Sequence, residues 1–157
     1  MFLKINDWEF DIDQEKTAEH SSFVSREHCT CDYCENYYRT VGQCYPVLEK
    51  LLRHFCLKLD GPSEMYPFEP TICLVGYRVM GKIVCYGSAP IRIDHIQVLP
   101  VPREGGCFFL EVGEMELPWV MEINPEDVIS PANEPEFMER MYRKLLERTI
   151  PVSGMLS

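Results

Sequence analysis

The spacing of apolar residues changes from three or four to two near Pro70, and this change constrains the fold more than any other feature of the sequence. Before it, from residue 32 to residue 59, apolar side chains recur at helical steps. After it, from 71 to 122, short runs rich in Ile, Val, Phe and Tyr are separated by Gly, Pro and Asn. A helical segment followed by a strand-rich segment is typical of an α+β fold.

Two helices are predicted in the segment 32–59. The first begins at Asp32, where tyrosines start to recur at helical steps, and it ends near Gly42. The second begins at Pro46 and carries one apolar stripe. It ends at Asp60, ahead of a Gly-Pro pair.

The segment 71–122 contains five predicted strands, and the N-terminal segment 2–10 contains a further strand or a short hairpin. The polar segment 11–25 is expected to be a loop or a short helix. The connections between the strands are too short for parallel crossovers, so the strands are expected to form an antiparallel β-meander. We predict a single α+β domain over residues 1–157, in which a sheet of five or six strands packs against two or three helices. The last of these helices is predicted at 134–149. The five strands lie near 72–79, 83–86, 91–99, 107–112 and 116–122.

The 157-residue chain carries a formal net charge of -10, which argues against nucleic acids as partners. This charge repels phosphate backbones, so no nucleic-acid binding is expected. No apolar run near the N-terminus is long enough for a signal peptide or a membrane span, so no membrane association is expected and the localisation is expected to be cytoplasmic. The densest acidic run, from Asp7 to Glu15, is either a solvated face or a docking surface for a basic partner.

Three of the eight cysteines and one of the four histidines lie within the seven residues 28–34. A tetrahedral zinc site takes four Cys or His ligands, commonly as pairs with short internal spacing. Cys31 and Cys34 form one C-x-x-C pair, which Cys29 can join through the turn and His28 would complete. The sequence therefore predicts a zinc site with the ligands Cys29, Cys31, Cys34 and His28, without the second C-x-x-C pair of a zinc finger.

Helix geometry narrows the choice of the fourth ligand. Ten residues of helix would place Cys44 about 15 Å from Cys34, whereas metal–sulfur bonds are about 2.3 Å long. Besides His28, the alternatives are His20, Asp32, Glu35 or a cysteine from a strand. The other five cysteines are predicted to be core or near-core residues, namely Cys44, Cys56, Cys73, Cys85 and Cys107.

The same C-x-x-C pair also favours thiol chemistry, because a helix N-terminus lowers the pKa of a thiol. Cys31 or Cys34 would then be a redox or nucleophilic thiol. The upstream residues, however, are polar and lack the strand of a thioredoxin-like βαβ unit. Thiols that merely line the packed start of the helix are a third alternative. The sequence contains no phosphate-binding, dinucleotide-binding or nucleophile-elbow motif, so an enzyme is not favoured.

The C-x-C-x-x-C-x-N-Y run at 29–37 resembles the opening motif of a family of small, uncharacterised bacterial proteins. In that family a C-x-C-x-x-C-x-N-[YF] segment leads into two helices and a strand-rich half. The segment 117–122, with the sequence LPWVME, is similar to the closing strand of the family. The resemblance implies that the cysteine cluster is a family feature, and it implies no activity.

The sequence thus predicts a cytosolic, non-enzymatic binding or interaction domain with a structural zinc site at Cys29, Cys31 and Cys34. One alternative is a thiol-dependent redox or nucleophilic enzyme that uses Cys31 and Cys34. The other is an acidic inhibitor or immunity-type protein that neutralises a basic partner through residues 7–15. A protein partner is expected in the first and the last of these cases.

Overall fold

A computed structural model describes residues 1–69, 71–93 and 95–127 of the chain. Within these residues there are three helices and one antiparallel sheet of seven strands, which confirms the predicted α+β class and adds a strand to the predicted sheet. The elements are β1 Phe2–Ile5, β2 Trp8–Ile12, α1 Gln14–Arg26, α2 Asp32–Cys44, α3 Pro46–His54, β3 Glu64–Glu69, β4 Ile72–Cys85, β5 Ile91–Ile93, β6 Ile96–Arg103 and β7 Cys107–Glu116.

The sheet is built around β4, a strand of 14 residues. The strand order is β1-β2-β4-β7-β6-β5, and β3 also pairs with β4. Every pair is antiparallel, and β5, β6 and β7 form a meander of sequential neighbours. β4 pairs with β2 and β3, and it also pairs with β7. It therefore connects the β1–β2 hairpin and β3 to the meander.

Of the two alternatives predicted for residues 2–10, a strand or a short hairpin, the structure shows the hairpin, formed by β1 and β2. Its turn contains Asn6 at a φ of 54°, a left-handed conformation that asparagine tolerates. Trp8 and Phe10 of β2 are fully buried in the same core cluster as apolar side chains of α2, α3 and the sheet. The Phe10 ring lies 5.1 Å from that of Phe55 and 5.2 Å from that of Phe108, so the hairpin is anchored by aromatic packing.

The polar segment after the hairpin forms a full helix, α1, of 13 residues. The Asp13 carboxylate caps it by accepting a backbone N–H of the first turn at 3.0 Å. Its buried side chains are polar: Thr17 Oγ1 accepts the N–H of Met80 at 3.0 Å, and Ser21 Oγ accepts the N–H of Lys58 at 2.8 Å. The helix therefore docks through hydrogen bonds, which a search for apolar stripes does not detect.

Both α2 and α3 start where predicted, but they end elsewhere. α2 continues through Gly42 to its last residue two positions later. α3 ends well before Asp60, because Cys56 adopts a left-handed φ of 62° and the N–H of Leu57 donates to the carbonyl of Leu52 at 2.9 Å. This is a Schellman turn, and it buries apolar residues that the predicted stripe had placed on a longer helix.

The strand pattern differs from the prediction in β4. The predicted strands 72–79 and 83–86 are one continuous strand, with no turn between them. Gly81 has a φ of 144°, and a Cβ at this position would lie 2.1 Å from the carbonyl oxygen of Asp11. Glycine therefore marks a close approach of β2 to β4 rather than a turn.

Further along the chain, the predicted strand 91–99 is the hairpin of β5 and β6, and β3 was not predicted. The segment 117–122 is not a strand, contrary to the prediction. It is held by the amide of Asn36, which is 2% exposed: Nδ2 donates to the carbonyl of Pro118 at 3.0 Å, and Oδ1 accepts the N–H of Val120 at 2.8 Å. The two segments that carry the family resemblance are therefore in direct contact.

The predicted C-terminal helix at 134–149 lies outside the described residues. Of the helices in the described part of the chain, the longest have 13 residues. None of them has the length and the apolar composition that crossing a membrane requires.

Replacing Asn36 by alanine removes both hydrogen bonds to the segment 117–122 at a buried position. We expect the free energy of unfolding in urea to fall by about 2 kcal/mol. Gln43→Ala, at an exposed position of the same helix, is the matched control and should change it by less than about 0.5 kcal/mol. Equal effects of the two substitutions would show that the Asn36 amide does not fix this segment.

Candidate metal centre

The thiols of Cys29, Cys31 and Cys34 converge at the start of α2, and we call these three residues the tri-cysteine cluster. Their sulfur atoms all lie within 4.8 Å of one another. In a tetrahedral site with metal–sulfur bonds of about 2.3 Å, the sulfurs are about 3.8 Å apart. The cluster can therefore hold a metal ion after small side-chain movements. Among the described residues, no other group of Cys, His, Asp and Glu side chains meets this spacing.

The N-terminus of α2 positions two of the three thiols. Cys31 is the N-cap residue and Cys34 lies in the first turn, so a spacing of three residues places both side chains on one face. Cys29 precedes the helix, and its Sγ accepts the N–H of Cys31 at 3.4 Å. Cys29 is exposed whereas the other two are half-buried, so the tri-cysteine cluster is open to solvent on one side.

Hydrogen bonds within the cluster separate the pKa values of its thiols. The pKa of Cys31 is lowered to about 5, mainly by a hydrogen bond with the Cys34 thiol. Partial burial acts in the opposite direction. Hydrogen bonds with the N–H of Cys34, the Cys29 thiol and the N–H of Tyr33 lower this pKa further. The pKa of Cys34 is raised, first by its hydrogen bond to Cys31 and then by burial and the negative charge of the other two sulfurs. The first thiolate of the cluster is thus centred on Cys31.

A cavity of about 320 Å³ adjoins the tri-cysteine cluster, between the start of α2 and β3. The three cysteines and His28 line it from one side, and Met65 lines it from β3. The Sδ of Met65 lies 3.8 Å from the Sγ of Cys34. Met65 is the residue of this site that the sequence did not suggest, because β3 was not predicted.

His28 lies beside the tri-cysteine cluster but outside the group of ligand atoms within 4.8 Å. Its Nδ1 is 3.1 Å from the carbonyl oxygen of Cys29, and since a carbonyl only accepts, this nitrogen carries the proton. Its ring packs 4.0 Å from the ring of Tyr38. The predicted role of His28 as fourth ligand therefore requires a movement of its ring, and it stays a prediction.

The other candidate fourth ligands do not join the cluster within the described part of the chain. The Nε2 of His20 lies 3.1 Å from the hydroxyl of Ser63. Of the strand cysteines, Cys73 is buried in β4, where burial raises the pKa of its thiol to about 12. Asp32 and Glu35 belong to the first turn of α2 and also remain outside the group.

The remaining cysteines divide between core and surface. Cys73 and Cys107 are buried as predicted, and Cys56 is half-buried in its turn. Cys44 and Cys85 are exposed, so their prediction as core or near-core residues was wrong. Each is the last residue of its element, α2 or β4, where the chain leaves the core.

The acidic run at 7–15 is partly occupied by contacts within the chain. An Asp7 carboxylate oxygen accepts the N–H of Ser88 at 2.9 Å, and the Ser88 hydroxyl first, then this N–H, lowers the pKa of Asp7. Asp11 lies 3.6 Å from the N-terminal ammonium group, and Asp13 caps α1. These carboxylates have structural roles, and a docking surface for a basic partner stays a prediction.

Comparison with protein-family models, with curated proteins and with solved structures finds no match for this chain. The resemblance to a bacterial family through the motif at 29–37 therefore stays a prediction.

Alkylation of the metal-free, reduced protein tests the order of the pKa values. Because only the thiolate reacts, the rate of iodoacetamide labelling at Cys31 should rise with pH through about 5 and level off by about pH 7. Mass spectrometry of peptides locates the label. The fast phase should disappear in Cys31→Ser and persist in Cys44→Ser; if it persists in both variants, the lowered pKa is not that of Cys31.

Proposed function

We propose that the protein is a non-enzymatic cytoplasmic domain that binds one thiophilic metal ion through Cys29, Cys31 and Cys34. The observation that carries the proposal is the convergence of three sulfur atoms within 4.8 Å. Thiolate ligands favour Zn²⁺ and Cu(I) over the harder ions Mg²⁺ and Ca²⁺. Zinc is the ion that the sequence predicts, and the fourth ligand determines which thiophilic ion is preferred.

The electrostatics of the site favour the first thiolate ligand. A metal ion takes thiolates, so its affinity depends on the free energy needed to remove the thiol protons. The hydrogen bonds that lower the pKa of Cys31 reduce this cost for the first ligand, whereas the raised pKa of Cys34 means that the ion itself must displace that proton. The N-terminus of α2, which favours negative charge, lies next to the same sulfur atoms.

A bound ion would also have a structural effect. Residues 27–31 connect α1 to α2 and include two of the three thiols. A metal bound to Cys29, Cys31 and Cys34 would cross-link this connection to the first turn of α2. Binding to the folded state stabilises it by mass action, so the metal-loaded protein should resist unfolding better than the metal-free protein.

Metal loading tests the proposal directly. Reduced protein is stripped with a chelator, loaded with excess Zn²⁺, desalted and analysed for metal. We expect one equivalent of bound zinc in the wild type and in Cys44→Ser and Cys85→Ser, whose cysteines are exposed and outside the tri-cysteine cluster. Cys31→Ser and Cys34→Ser should each lose most of it, because two thiolates hold zinc far less tightly than three. Less than about a tenth of an equivalent in the wild type would rule out the site.

A second candidate function is thiol chemistry at the C-x-x-C pair. The observation that favours it is the position of Cys31 at the helix N-cap with a lowered pKa beside Cys34, which matches an attacking thiol and its resolving partner. Attack on a substrate disulfide would release one substrate thiol, and attack by Cys34 on the mixed disulfide would release the other. Uniform, slow labelling of all eight cysteines in the alkylation experiment would exclude this function.

A further inference from the structure

Met65 of β3 brings a fourth sulfur atom to the tri-cysteine cluster. Its Sδ lies 3.8 Å from the Sγ of Cys34, and both side chains are half-buried. Met65 pairs with Val75 of β4, and side chains alternate along a strand, so it faces away from its buried neighbour Tyr66. The thioether therefore reaches the cluster because of the pairing of β3 with β4.

The spacing of the Cys34 and Met65 sulfurs suits two ligands of one tetrahedral site. With metal–sulfur bonds of about 2.3 Å, each edge of a tetrahedron of sulfurs is about 3.8 Å long. The distance between Cys34 and Met65 equals this edge, and the three thiols lie within 4.8 Å of one another. All four sulfur-bearing residues line the same cavity of about 320 Å³, and Met65 lies on its β3 side.

The competing fourth ligand is the His28 imidazole, and the two donors select different ions. Imidazole is a good ligand for Zn²⁺, whereas a neutral thioether together with thiolates selects Cu(I). His28 has to move its ring before it can join the thiols, while the Met65 sulfur is already at coordination spacing from Cys34. The arrangement as it stands places the Met65 thioether beside one of the three converged thiols.

We propose that the Met65 thioether is the fourth ligand of the tri-cysteine cluster, and that the completed site binds Cu(I) in preference to Zn²⁺. The inference rests on the metal-binding function proposed above and names its ion. Cu(I) binding at Cys29, Cys31 and Cys34 releases the thiol protons and changes no oxidation state. The ion is taken from weaker ligands that buffer Cu(I) in the cell.

Competition with chromophoric chelators, one for Cu(I) and one for Zn²⁺, tests this inference on the full reduced chain under anaerobic conditions. Met65→Leu keeps the side-chain volume and removes the sulfur, so it should raise the Kd for Cu(I) at least about tenfold and that for Zn²⁺ less than about twofold. The matched control Met80→Leu changes a methionine that does not line this cavity, and it should leave both affinities unchanged. Circular dichroism confirms that each variant is folded.

The possible failures are distinguishable. If the wild type binds neither ion, the metal-binding function itself is wrong. If it binds metal but Met65→Leu leaves the Cu(I) affinity unchanged, or if His28→Gln lowers it more than Met65→Leu does, the metal-binding function stands and Met65 is not the fourth ligand.

A second measurement requires no substitution. In selenomethionine-labelled protein loaded with Cu(I), X-ray absorption at the copper edge should show one selenium neighbour, and its absence would overturn the proposal.

Discussion

The pairing of β4 with its neighbours holds the two sides of the candidate site together. On one side β4 pairs with β3, which carries Met65. On the other, the buried hydroxyl of Tyr77 in β4 donates to the carbonyl of Leu59 at 2.6 Å and accepts the hydroxyl of Tyr37 in α2. Because α2 and β3 are both attached to β4, the sulfur contact between Cys34 and Met65 depends on this strand.

Polar contacts place α1 and the chain after β7 against the rest of the structure. Asn36 fixes the chain after β7 through two hydrogen bonds, and Thr17 and Ser21 dock α1 in the same way. Each of these side chains is buried, so an unmade hydrogen bond would cost about 1 to 3 kcal/mol. Such contacts specify one arrangement of the helices, whereas apolar packing alone tolerates several.

Periodic segments of the sequence predicted the fold class and the starts of α2 and α3, because an apolar stripe or an alternating run reflects one buried face. The rest depended on tertiary contacts. α1 buries Thr17 and Ser21, which carry no apolar signal. β3 contains Pro67, a residue that argues against a strand, and it acquires its place only through β4. Gly81 suggested a turn, although its role is a close approach to Asp11.

The tri-cysteine cluster was predictable because it depends on local structure and not on tertiary contacts. Its three thiols lie within six residues, so a turn and the first turn of one helix suffice to bring them together. His28 stays the fourth ligand that the sequence predicts. Met65, the ligand that we propose, was not predictable, because it is distant in sequence and methionine is common in cores as a packing residue. Spacing along the chain specifies local ligands, and only the fold adds the distant one.

Anomalous diffraction from crystals of the metal-loaded protein, measured at the absorption edge of the bound ion, locates the metal. If the tri-cysteine cluster binds it, one strong peak lies about 2.3 Å from the Sγ atoms of Cys29, Cys31 and Cys34. A loaded crystal without a peak at this position, or with a peak bound to other residues, would show that the cluster is not the metal site.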